Sequence, residues 1–157
     1  MLLAIDPGAD QGWALFDEKV LVRCGVGDFR PVIEPDFQKV AGAVLLVSVL
    51  ECVVCECPTL YRGGKARPAD VITLALRAGE AVGFAKGMWP NAKCEYVEPR
   101  TWKGQVPKDV HHARIFAALN DIERNVVATN LKGLAASKRH NALDAVGLGL
   151  WAAKRRV

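Results

Sequence analysis

The sequence predicts an α/β protein, a five-stranded mixed sheet flanked by helices. Three features carry that prediction. The chain opens with three short apolar segments joined by short connections, 1–6, 12–17 and 20–26. Two further β-prone segments, 50–57 and 93–97, are set apart by stretches whose apolar residues recur at helical spacing. The C-terminal segment 140–154 is apolar on almost every side of a helix. A meander followed by alternating helix and strand gives antiparallel strands continued by parallel ones, with helices on both faces.

Each element has a local reason. Residues 1–6 (MLLAID) are apolar on both faces, which places the first strand centrally in its sheet. Pro7-Gly8 turns the chain towards a second strand over 12–17, and Asp17-Glu18-Lys19 turns it again into a third over 20–26. Residues 31–35, bounded by prolines, read as a linker. Asp36 then reads as an N-cap, with Phe37, Val40, Ala41, Val44 and Leu45 as the apolar face of a helix. The run 50–57 is strongly β-prone, and Pro58 ends it. A basic, glycine-bearing loop over 62–68 leads into a helix over 69–86. There Val71, Leu74, Ala75, Ala78 and Val82 share one stripe, and Gly79 and Gly83 stand at a spacing suited to close packing. Pro99 follows the fifth strand, and a further helix begins at Pro107, a residue tolerated in a first turn, and runs to 120. The polar stretch 120–133 reads as a short helix and loop before the last helix over 140–154.

The length of 157 residues and the 51% hydrophobic content fit a single globular domain over 1–157. No apolar run reaches the ~18 residues that span a bilayer. MLLAIDPG has no basic n-region, so the expected location is cytoplasmic, without a membrane partner. Cys24, Cys52, Cys55, Cys57 and Cys94 are odd in number, and three crowd one strand, which argues for free thiols. Zinc on Cys52-x-x-Cys55 would need a second ligand pair, and no Cys or His pair has that spacing. The net charge of +4 is unevenly spread: 9 acidic and 4 basic residues over 1–60, 8 and 17 over 61–157. An acidic pocket beside a basic surface suits a polyanion whose phosphates are bridged to the acids by cations.

The chemistry is concentrated in three acids. Asp6 closes the first strand, Glu56 stands alone among the apolar residues of 53–57, and Asp144 is the one charged residue in ALDAVGLGLWAA. An isolated buried carboxylate costs on the order of several kcal/mol unless it is compensated. Three separate structural caps would explain them, but so would convergence on one site. Convergent carboxylates repel unless cations sit among them. Mg²⁺ takes oxygen ligands of this kind, and a pair of ions suits in-line phosphodiester hydrolysis. His140 lies one helical turn before Asp144 and can ligate metal or carry a proton. Asn141 can face the same place.

Three motifs together resemble the RuvC-type Holliday junction resolvases: IDPGADQGWALFD at the start, ECP at 56–58, and RHNALDAVGLGLW near the end. PRTWKGQVPK resembles the lysine-bearing segment of phage-type members. The resemblance covers essentially the whole chain. It implies an RNase H-like fold, a homodimer, and Mg²⁺-dependent nicking of paired strands at a four-way DNA junction, with two ions that Mn²⁺ can replace and no nucleotide cofactor. It aligns Asp6, Glu56 and Asp144 with the family's metal-binding acids. The family's remaining acid or His falls at Asn141; His140, one position earlier, is the preferred fourth ligand and Asn141 the neutral alternative.

The basic residues after the acids are candidate DNA contacts. Arg62, Lys65 and Arg67 follow the strand that carries Glu56, and Tyr61 beside them can stack on an unpaired base. Lys103 can stabilise phosphate charge in a transition state, with Lys108 and Arg100 as further contacts. Two other readings compete: a ribonuclease H acting on RNA–DNA hybrids, and a non-catalytic nucleic-acid-binding module.

Overall fold

The computed structural model describes residues 1–8, 10–30, 50–59 and 67–155. The helix expected from Asp36, and Tyr61, Arg62 and Lys65 of the basic loop, lie outside the described residues. Five strands form one sheet: β1 (Leu2–Asp6), β2 (Gly12–Asp17), β3 (Val20–Val26), β4 (Cys52–Glu56) and β5 (Lys93–Val97), in the order β3-β2-β1-β4-β5. The first three are antiparallel, and β4 and β5 extend them in parallel. This is the mixed α/β sheet expected from the sequence, with β1 at its centre. Glu18 and Lys19, both at positive φ (44° and 71°), make the tight β2–β3 turn that suits strand twist.

Five helices are described: α1 (Pro68–Met88), α2 (Pro99–Trp102), α3 (Lys108–Ala118), α4 (Asp121–Asn130) and α5 (Ala136–Ala152). Strand alternation sorts the core into two layers. Leu3, Ile5, Val53 and Cys55 pack under Ala78, Ala81, Val82 and Ala85 of α1. Ala4, Ala14, Phe16 and Val54 pack under α5. Residues Ala142 to Leu150 of α5 are buried without a break, as an all-round apolar helix must be. Two glycines allow it to lie so close. A Cβ on Gly149 would sit 2.0 Å from the Phe16 ring, and one on Gly12 would sit 2.0 Å from the Asn141 carbonyl oxygen.

Four details depart from the sequence reading, the first being that a Cβ on Gly79 or Gly83 would meet nothing within 4 Å among the described residues, so no close packing marks that pair. The last helix begins at Ala136, so His140 lies a full turn inside it. Its first turn, Ala-Ser-Lys-Arg, is exposed and has no apolar period to read. The short helix α2 was not foreseen, because its tryptophan is held by a distant side chain. On α1, Ala75 is exposed and Ala81 and Ala85 complete the buried stripe instead. The Cys52-x-x-Cys55 zinc alternative fails on geometry. Residues three apart on a strand face opposite sides of the sheet, and all five cysteines are free thiols.

The polar stretch after α3 is a full helix with a reciprocal cap. The Asn120 side chain accepts from the Glu123 amide, and the Glu123 carboxylate accepts from the Asn120 amide. Glu123 is wholly buried. It also accepts from the Leu21 amide on the sheet edge and from the Arg155 guanidinium. Burial pushes its carboxyl up, but those donors outweigh burial and hold it below the usual range.

Candidate functional site

The site forms where two parallel strands end. Ile5 is paired with Cys55, so one step further the same register sets Asp6 beside Glu56. Alternation turns both side chains towards α5: Asp6 follows Ala4 and Glu56 follows Val54, which pack on that face. Asp144 comes down from α5 onto the same spot. Asp6 and Asp144 are both buried. The Asp6 carboxyl is pushed up from its ordinary 3.8 to about 7, first by burial, then by the charges of Glu56 and Asp144, while Lys103 and Lys108 pull it down. The three acids named from the sequence therefore share one electrostatic neighbourhood.

Two lysines lie among them. Lys103 Nζ donates to Glu56 Oε2 at 2.9 Å and lies 3.8 Å from Asp144 Oδ2. Burial lowers its ammonium pKa, but Glu56 and Asp144 outweigh that and hold it above the ordinary value. Lys108 Nζ is 3.6 Å from the same Asp144 oxygen. Lys103 thus spans two of the three carboxylates. Trp102 Nε1 donates to Glu56 Oε2 at 3.0 Å, which anchors α2 to the end of β4. The buried ring of His111 meets Trp102 edge-on, with centroids 4.9 Å apart.

His112 is the site residue that sequence reasoning missed. Its Nε2 lies 2.8 Å from Asp144 Oδ1, opposite the oxygen that faces the lysines. The His140 ring packs edge-on against His112, with centroids 5.2 Å apart, and feels the charge of Asp144. Burial, Lys108 and His112 lower the His140 pKa. A signal for His112 was present: Lys108 and His112 are one turn apart on a predicted helix, the spacing that linked His140 to Asp144. The Asn141 Nδ2 donates to the Asp10 carbonyl in the β1–β2 loop, which fixes the amide by its nitrogen and leaves its Oδ1 out of that bond.

The remaining predicted contacts are dispersed. Arg67 is exposed at the start of α1 and pairs with Asp70 at 2.9 Å. Arg100 is exposed on α2. As the side chains stand, no group of three or more His, Cys, Asp or Glu among the described residues forms a ready metal cluster. Lys103 fills the gap between Glu56 and Asp144 instead. The donor chemistry itself is that of a hard dication: carboxylate oxygens from three elements, with one carboxyl pushed towards neutrality by burial and by the acids around it. No helix among the described residues is long and apolar enough to cross a membrane.

No protein-family model matches the chain, and no curated protein matches its sequence. Among solved structures it is similar to the Fowlpox virus resolvase in complex with substrate Holliday junction DNA. The identity is 16% and the TM-score 0.41, over 98% of this chain and 96% of that one. A likeness of that degree carries no weight about activity.

Proposed function

We propose that this protein is a metal-dependent, structure-selective DNA endonuclease that nicks four-way junctions. One observation supports it above the others: Asp6 and Glu56, at the C-terminal ends of β1 and β4, and Asp144, midway along α5, are far apart in sequence yet share one buried setting, where burial first and the neighbouring acids second raise the Asp6 carboxyl to about 7. A fold tolerates that crowding poorly without a purpose for it. In this reading Asp6, Glu56 and Asp144 hold Mg²⁺. Two such ions, with Mn²⁺ able to replace them, supply the Lewis acidity that phosphodiester hydrolysis needs. Lys103 balances the acids until a metal and a phosphate arrive, and then faces the phosphate. His112 holds one Asp144 oxygen and so orients the other. Arg67, Arg100 and Lys108, with Tyr61, Arg62 and Lys65, supply contacts to the DNA. A homodimer presents two such sites to paired strands.

The test is cleavage of a four-way junction, a linear duplex and an RNA–DNA hybrid, each with and without Mg²⁺, with Asp6→Asn as the control. Symmetrical paired nicks in the junction alone, dependent on metal and absent in the variant, are expected. Cleavage of the hybrid alone would assign a ribonuclease H activity. Binding without cutting, or an Asp6→Asn protein that cuts at the wild-type rate, would overturn the metal-site reading.

A further inference from the structure

A groove of about 380 Å³ lies between α3, α4 and α5. Its floor is apolar, with Val127, Leu131 and Leu143. Its rim carries Arg124, Lys132 and Arg139, together with the ring of Phe116, which is 41% exposed. No acid lines it. Lys132 has no ion-pair partner among the described residues, and Arg139 donates only to the Leu134 carbonyl. Arg124 pairs at 3.2 Å with Asp121, which is almost fully exposed and screens it little.

We infer that this groove is a nucleic-acid track that holds the strand next to the cut, an inference that rests on the nuclease reading above. Two spacings carry it. On α5, Arg139 and Leu143 each immediately precede His140 and Asp144, so the groove lies about a quarter-turn from the acids. On a helix about 10–12 Å across, that is on the order of 8 Å, near the spacing of neighbouring phosphates. On α3, Lys108, His112 and Phe116 follow at intervals of four, a stripe that leads from Asp144 to the groove. The cations there match phosphates, and the exposed Phe116 ring gives a base displaced from its stack a face to lie on.

The test is the affinity of a fluorescein-labelled four-way junction in EDTA, measured across a salt series. Wild type is compared with Lys132→Glu/Arg139→Gln and with Phe116→Ala. The double variant is expected to bind at least several-fold more weakly, with a log–log salt slope shallower by about two. Phe116→Ala is expected to weaken binding without changing the slope. Lys132→Gln, a single exposed change, keeps the question answerable if the double variant misfolds; its slope should fall by about one. Variants that match wild type in both affinity and slope would overturn the track, leaving the groove to an acidic protein partner. If the wild type itself binds no junction, the nuclease reading fails instead, so the two failures are distinguishable.

Discussion

Replacing Asp6 by Asn tests the electrostatic core of the site without any substrate. The Asp6 carboxyl is raised from 3.8 to about 7 in the folded chain. Between those values the folded state binds a proton that the unfolded state has lost, so wild-type stability falls as pH rises from about 4 to about 7. Above pH 7 the penalty is complete. About three pH units at about 1.4 kcal/mol each give about 4 kcal/mol as an upper bound, and relaxation around the charge makes about 2 kcal/mol a reasonable floor. Asn is neutral throughout and nearly the same shape. In EDTA, urea unfolding should therefore find Asp6→Asn close to wild type at pH 4 and more stable by about 2–4 kcal/mol at pH 8. Added Mg²⁺ should narrow the gap at pH 8 by stabilising the wild type, because a dication favours the ionised carboxylate. A stability difference that stays constant from pH 4 to pH 8 would refute the claim that burial, helped by Glu56 and Asp144, raises the Asp6 carboxyl.

Two further outcomes follow from specific contacts. His112→Ala removes the partner that holds Asp144 Oδ1. Junction cleavage should drop by about 10–100-fold, and Mn²⁺ should bind more weakly by calorimetry. His112→Gln should recover part of both, while His140→Ala should cost less; a His112→Ala protein with wild-type rate and metal affinity would remove His112 from the site. Glu123→Ala leaves the Leu21 amide without its acceptor and the Arg155 guanidinium without its charge partner, with only the Lys19 and Ala118 carbonyls to donate to. It should destabilise the fold by about 3–5 kcal/mol at neutral pH. Because the Glu123 carboxyl is held below its usual range, that difference should shrink on acidification, and a loss below about 1 kcal/mol would contradict the buried cluster.

By itself the sequence determined what depends on local order. Apolar runs and turn residues fixed five strands and their meander start, because side-chain alternation and tight turns act over a few residues. A single acid in each of three apolar segments marked Asp6, Glu56 and Asp144, because a lone charge in a buried pattern stands out at any distance. Tertiary structure decided how those groups are partnered. His112, and not His140, touches Asp144, because α3 packs beside α5 at an angle no periodicity records. Lys103 reaches two carboxylates because Trp102 ties α2 to Glu56. Asn141 is anchored through its amide nitrogen to the β1–β2 loop because α5 packs against that loop. These are contacts between residues distant in sequence, each set by the docking of whole elements. The identities of the charged groups were therefore legible in the sequence, whereas their pairing was a property of the packed fold.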